Sequence, residues 1–251
     1  MEVEKMINEN SRERFCLNVK ECGIEWDDPD IILSKEIVRD DTLSDEAFLV
    51  YVAIRAIQQG RYVVTSLNQL YYKLVADCCS DKEQNNRKLR EKVRRGFDEL
   101  LDRGFIDIVH SALDQFTLEC SKIALYVKNA KKTKEVFVPL TLEEIRIIMN
   151  ISNIQVEKLL RYFAILKSTI NRNTHVGFTG TDKLAIWSNI ARKTLYEFNK
   201  ILENKRLIYI VHSKSFNSKK SGRLIMTHNY YSLYEYKSVC EDYAKKSNLG
   251  A

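Results

Sequence analysis

The stretch LAIWSNIARKTLYEFNKILENKRLIYI, residues 184–210, holds the pattern that decides the fold. Apolar side chains recur at steps of three and four residues in its centre, which predicts an amphipathic helix over residues 191–204. The polar pair Ser188 and Asn189 precedes that helix and indicates a turn after a shorter helix. A run of β-branched and aromatic residues, LIYIVH, begins at its end and predicts a strand. The stretch therefore predicts two helices joined by a tight turn, followed by a strand.

Outside this stretch, the second half of the chain adds a helix and two more strands. Residues 156–170 predict a helix with one apolar face, and residues 176–179 predict a short strand before the two turn-joined helices. Thr181 is the expected N-cap of the first of those helices. A final strand is expected from Leu224 into Tyr231. The second half thus has the order helix, strand, helix, helix, strand, strand.

The same order occurs about 105 residues earlier, and such an internal repeat is strong evidence for two related units. The expected elements of the first half are helices over residues 45–59, 67–75 and 81–103, and strands over residues 61–65, 105–110 and 115–120. Ser44 and Ser66 are the expected N-caps, and Gly104 is expected to end the third helix. YVAIRAI in the first half matches YFAILKS in the second, and KVRRGFDELLDRGFIDIV matches RKTLYEFNKILENKRLIYIV.

Residues 156–231 resemble the winged helix-turn-helix superfamily, in which a β-hairpin called the wing follows the two turn-joined helices. The resemblance rests on residues in the supporting helix, the turn, the recognition helix and the strand after it: Leu184, Ala185, Ser188, Asn189, Ile190, Thr194, Leu195, Leu202, Leu207 and Ile208. Asn204-Lys205-Arg206 replaces the usual glycine, and Asn204 is the residue expected to tolerate a left-handed conformation. With the repeat, the resemblance implies a mainly α chain with small β-hairpin wings (α+β), built as two tandem winged-helix domains.

In this superfamily the second helix of the pair enters the major groove of DNA, and the wing touches the backbone or the minor groove. The resemblance therefore implies DNA contacts by the side chains that alternate with the buried positions of this helix: Arg192, Lys193, Tyr196 and Lys200. Arg192 is the candidate for base recognition, because a guanidinium can donate two parallel hydrogen bonds to guanine. The wing, HSKSFNSKKSGRL, adds four cations and no acid: Lys214, Lys219, Lys220 and Arg223.

The long third helix of the first half offers a parallel surface. Its candidates for DNA contact are polar or basic: Asn86, Arg87, Lys88, Arg90 and Arg94. Six Lys or Arg residues lie between positions 87 and 95, yet a run of this kind can equally be a solvated helix face. The first wing, HSALDQF, contains Asp114 and no cation. The first domain is therefore expected either to contact DNA or to pair with a second copy of the chain, as a homodimer, or with a partner protein.

Charge is distributed unevenly along the chain, whose net charge is +6. Residues 1–47 hold 6 Lys/Arg and 14 Asp/Glu, whereas residues 136–251 hold 18 and 9. The basic second half is expected to meet a polyanion, and the acidic start of the chain is not.

Composition and pattern together predict five segments. They are an acidic N-terminal leader (1–40), a first winged-helix domain (41–127), a linker (128–136), a second winged-helix domain (137–237) and a C-terminal tail (238–251). The second domain is expected to begin with an extra helix capped by Thr141 and Glu144, which have capping-box spacing. Because it holds a complete set of elements with apolar faces, the segment from residue 136 onward is expected to fold alone.

Several classes of function are excluded by the sequence. No apolar run is long enough to span a membrane, and the polar start lacks the core of a signal peptide, so a cytoplasmic protein without membrane contact is expected. The six cysteines show no zinc spacing and are interpreted as reduced thiols. No phosphate-binding glycine motif occurs, and the four histidines lack an HExxH step or a nucleophile partner. The chain is therefore expected to be no enzyme and to need no metal or other cofactor.

Tandem winged helices of this length resemble the replication initiators of plasmids and phages, a likeness of architecture alone. The resulting hypothesis is a sequence-specific double-stranded DNA-binding protein that acts as such an initiator at origin repeats. Two alternatives stay open: a transcriptional regulator, either repressor or activator, and a winged-helix interaction module of a replication complex. Double-stranded DNA and proteins of the replisome or of transcription are the expected partners.

Overall fold

The computed structural model describes residues 31–58, 62–76, 84–111, 123–127, 137–212, 216–217, 224–225 and 229–249. The first half contains β1 (Ile31–Ser34), α1 (Lys35–Val38), α2 (Asp45–Ile57), β2 (Tyr62–Thr65), α3 (Leu67–Ala76), α4 (Gln84–Asp102), β3 (Ile106–Ser111) and β4 (Ile123–Val127). The second half contains β5 (Phe137–Leu140), α5 (Leu142–Met149), α6 (Val156–Lys167), β6 (Gly177–Thr179), α7 (Thr181–Ser188), α8 (Arg192–Asn204), β7 (Ile208–Val211), β8 (Phe216–Asn217), β9 (Leu224–Ile225), β10 (Asn229–Leu233) and α9 (Lys237–Leu249). The described chain is mostly helical with small antiparallel sheets, which confirms the α+β class.

Each half builds a three-stranded antiparallel sheet of the same topology. The first sheet has the order β2-β4-β3 and the second the order β6-β10-β7, so that the last long strand of each half lies in the centre. In the second sheet Tyr231 of β10 pairs with Gly177 on one side and with Ile210 on the other. The helix, strand, helix, helix, strand, strand order inferred from the sequence is present in both halves.

Most of the expected helix starts are confirmed. Ser44 and Ser66 accept hydrogen bonds through Oγ from the backbone N–H groups three residues later, at 3.0 and 3.1 Å. Thr141 and Glu144 form the reciprocal capping box at the start of α5. The expectation for Thr181 is wrong: it is the first residue of α7, and Gly180 occupies the N-cap without a side-chain hydrogen bond.

The same turn ends the long helix of each half. Gly104 has a φ of 68°, and Arg206 at the equivalent place has a φ of 56°. The residue after each donates its N–H back into the helix, Phe105 to Leu100 at 2.9 Å and Leu207 to Leu202 at 3.0 Å. The expectation that Asn204 takes the left-handed conformation is therefore wrong, because the hydrogen bonds that close the helix require that conformation two residues later.

The central strand of the first sheet lies later than the sequence pattern suggests. The expected strand over residues 115–120 and the linker over residues 128–136 lie outside the described residues. β4 is formed instead by IALYV, which pairs with β2 on one side and with β3 on the other. A short apolar run is typical of a strand with neighbours on both sides. The run IALYV was not recognised as a strand because it lies beside a charged segment.

Both ends of the described chain are part of the fold. β1 (Ile31–Ser34) and α1 (Lys35–Val38) lie in the segment that the charge distribution assigns to the acidic leader. Leu33 and Val38 in these elements are fully buried. In the expected C-terminal tail, α9 packs on β7 and β10 and buries Cys240 and Ala244, four residues apart. The burial of a segment is decided by apolar residues at helical or strand spacing, and a charge averaged over many residues does not report them.

The two halves pack against each other through a continuous apolar core. β1 from the first half pairs antiparallel with β5 from the second, with Ile31 opposite Leu140. α2 lies against α6, and Phe48 and Phe163 on these helices are both fully buried within the same cluster. Within the first half, α2 and α4 approach so closely that a Cβ atom at Gly96 would lie 2.6 Å from the carbonyl oxygen of Glu46. No helix in the described ranges is long and apolar enough to cross a membrane.

Candidate nucleic-acid interface

α8 has one buried and one exposed face, as its sequence pattern predicts. Leu195, Phe198 and Leu202 are buried against the second half's core. The four side chains predicted to contact DNA all lie on the exposed side of this helix: Arg192, Lys193, Tyr196 and Lys200. Glu197 is the acidic residue among them. The face therefore presents three cations and one aromatic ring to solvent.

Arg192 is already engaged by an acidic side chain. Its Nη2 lies 2.5 Å from Oδ1 of Asp182 in the first turn of α7, and both side chains are about two-thirds exposed, at 66% and 62%. Exposed ion pairs contribute little to stability, so this one can exchange for another acceptor at small cost. Sequence reasoning missed Asp182, because a separation of ten residues across a turn carries no spacing signal.

Apolar surface accompanies the cations. Tyr196 is 50% exposed on α8, and Ile186 on α7 is 65% exposed. The turn between these helices contains Asn189, which takes the left-handed conformation at φ 50° and ends α7. This geometry allows α8 to start at an angle to α7, which leaves the first turn of α8 open to solvent.

A buried hydrogen bond fixes α8 to the rest of the second half. The hydroxyl of Tyr162 on α6 donates to Oδ1 of Asn199 on α8 at 2.7 Å, and both residues are buried. Burial raises the pKa of Tyr162 well above its usual value, so the phenol stays a donor. Asn199 was missed by sequence reasoning, although a polar residue at a buried position of the 195/198/199/202 pattern is a usable signal.

The basic wing is described only in its strands. β8 pairs antiparallel with β9, with Phe216 opposite Ile225, so these two short strands form a hairpin that lies between β7 and β10 in the sequence. The four wing cations lie outside the described residues: Lys214, Lys219, Lys220 and Arg223.

α4 carries the parallel surface of the first half. Lys88, Arg90 and Arg94 are exposed on it, and the guanidinium of Arg90 lies 4.9 Å from the ring centre of Tyr71 on α3. Asn86 and Arg87 belong to α4, but their side chains lie outside the described part. Arg90 precedes a buried position of α4 by three residues, as Arg192 does on α8, so the repeat places these two arginines equivalently.

Other cations of α4 serve contacts inside the protein. Lys92 forms an ion pair with Glu157 on α6, and Arg95 lies 3.5 Å from Glu46 on α2. Lys92 is thus held by a partner inside the protein, whereas Arg95, whose side chain is 69% exposed, is as available to a ligand as Arg192.

The described ranges bring no metal-binding cluster together. Among these residues no group of three or more His, Cys, Asp or Glu side chains could hold a metal ion. Cys240 is a buried free thiol whose pKa is raised by burial, and the ring of His175 stacks on Tyr236 at 3.9 Å.

No family model matches this chain, and comparison with curated proteins gives no match. The geometry of α8 and its surroundings is therefore the basis of the functional proposal.

Proposed function

We propose that the protein binds double-stranded DNA sequence-specifically through two tandem winged-helix domains, with α8 as a recognition helix. The observation that carries the proposal is the exposed face of α8, where Arg192, Lys193, Tyr196 and Lys200 surround the first turns of a helix whose opposite face is buried. A helix held from behind, with cations on its free face, suits the major groove of a polyanion.

The topology supports the winged-helix interpretation. Each half combines a helix, a short strand, two consecutive helices and an antiparallel sheet whose last strand is central. In the second half the hairpin β8–β9 stands where a wing would lie. The proposed role is replication initiation at origin repeats. Transcription regulation uses the same DNA-binding surface and differs in the proteins that are recruited.

DNA affinity is expected to fall steeply with salt. If about five phosphates are neutralised, the slope of log affinity against log salt should be roughly −4 to −5, because each contact releases condensed counterions. A cognate duplex is first selected from a random library, and its affinity is then measured by fluorescence anisotropy at several salt concentrations. Absence of binding at the lowest salt, or a slope near zero, would refute the proposal.

Base-reading and backbone contacts are expected to separate by mutation. Arg192→Ala should weaken binding to the cognate duplex by about 1–3 kcal/mol and change binding to scrambled duplex little, because its planar fork suits a base edge. Lys219→Ala with Lys220→Ala should weaken both duplexes alike and reduce the salt slope by about two, as phosphate contacts do.

Affinities for the cognate and scrambled duplexes at matched salt make this comparison, after unchanged melting is confirmed. Lys246→Ala, an exposed change on α9, is the matched control and should alter neither affinity. An equal loss on both duplexes for Arg192→Ala would assign that arginine to the backbone and move base reading to Lys193, Tyr196 or α4.

A further inference from the structure

α6 makes polar contacts with both helices that carry candidate DNA-binding residues. Glu157 near its start pairs with Lys92 of α4, and the Glu157 side chain is only 12% exposed. Tyr162, a turn and a half later, donates to Asn199 of α8. Asn199 is buried on α8, and Lys92 lies at the edge of the exposed face of α4 with a side chain that is 34% exposed.

α6, a helix of the second half, is held firmly against the first half. Arg161, with a side chain 3% exposed, donates to the carbonyl oxygens of Asp40 and Leu43 and lies 3.2 Å from Oδ1 of Asp45. These acceptors lie in the segment from the end of α1 to the start of α2. The C-terminal end of α6 is held from the same side, since Arg39 donates to Oγ and O of Ser168 at 2.9 and 3.1 Å.

We infer that α6 and the helix α2 packed against it form a common support that holds α4 and α8 at one fixed separation and orientation, so that the protein fits a duplex with two contact segments at a single spacing. Glu157 and Tyr162 act in this support as positioning residues. The identity of the ligand in this inference rests on the proposed DNA binding. The fixed arrangement of α4 and α8 rests on contacts within the protein alone.

The alternative arrangement is two units joined by a chain segment and free to reorient. Such units would tolerate different spacings, because a tether changes only the effective concentration of the second contact. Two helices held in one rigid arrangement cannot tolerate different spacings. Five inserted base pairs rotate the second segment by about half a helical turn, to the far side of the duplex, and about ten restore its direction but move it about 34 Å along the axis.

The first experiment measures the support without DNA. Spin labels attached through a non-canonical amino acid at Asp98 on α4 and Glu197 on α8, both exposed, leave the six native cysteines in place. Pulsed electron–electron resonance should give one narrow distance distribution. Glu157→Gln and Tyr162→Phe combined with Arg161→Met, which removes the hydrogen bonds from α6 to the first half, should broaden it, whereas Glu143→Gln, an exposed change on α5, should not.

The second experiment measures affinity for a selected cognate duplex carrying insertions at its centre. Five or ten inserted base pairs should each lower the affinity of the native protein about tenfold or more, because neither duplex offers both segments at the fixed separation. In the variant with Glu157→Gln, Tyr162→Phe and Arg161→Met the loss should shrink to about twofold to threefold, with melting used to confirm that the variant is folded. A structural defect alone would weaken all spacings together.

The two experiments separate the inference from the proposed function. A broad distance distribution in the native protein, or equal affinity for all spacings, overturns the common support. A narrow distribution with no duplex bound at any spacing removes DNA as the ligand and leaves the support of α4 and α8 by α6 in place.

Discussion

Replacing Arg161 with methionine is expected to lower the free energy of unfolding by about 3–5 kcal/mol, the range for breaking a buried charged contact on one side. The guanidinium donates to the carbonyl oxygens of Asp40 and Leu43, the latter at 2.5 Å, and methionine can donate to neither. These acceptors and the carboxylate of Asp45 would stay in the interface without their partner. Burial raises the pKa of Asp45 even with Arg161 present, and Lys158 is the nearby cation that would remain.

Urea denaturation followed by circular dichroism measures this change, provided that the slope against urea is unchanged. Lys183→Met is the matched control, since Lys183 is exposed on α7 and should change stability by less than about 0.5 kcal/mol. A loss below about 1 kcal/mol for Arg161→Met would mean that water replaces its hydrogen bonds and that the interface is not dry.

The candidate site was more predictable than the way the halves meet. The period of α8 and the turn at Asn189 follow from local rules of spacing and conformation, so Arg192 and Tyr196 could be placed on an exposed face from the sequence. Asp182 and Glu157 could not be recognised as partners of Arg192 and Lys92, because ion pairs between distant elements leave no periodic trace.

Periodicity shows that a helix face is buried but not what covers it. The apolar face of α6 is explained equally well by a core within the second half or by α2 from the first half, and the structure shows contact with α2. Arg161 shows the same limit. It is buried between Leu160 and Tyr162, but adjacent helix positions point about 100° apart, so its apolar neighbours in sequence do not predict its burial.

The segment 137–251 is expected to lose cooperative folding when it is separated from the first half, contrary to what its complete set of elements suggests. Without β1, the strand β5 loses all its pairing partners among the described residues. Without α2, the helix α6 exposes apolar side chains to water, and Arg161 loses the hydrogen-bond acceptors that it has in the described part of the chain. The combined loss should rival the roughly 5–15 kcal/mol by which a typical domain is stable.

Thermal melting and amide dispersion in NMR spectra of residues 137–251, compared with residues 31–251, measure this effect. Residues 31–251 are the matched control because they keep β1, α2 and every described contact between the halves while lacking residues 1–30. They should melt in one sharp transition, as expected for a shared core. A sharp transition for residues 137–251, with well-dispersed amide signals, would show that the halves are independent domains whose contact contributes little. The fixed spacing of α4 and α8 would then have to come from the bound duplex, because independently stable halves tolerate reorientation in its absence.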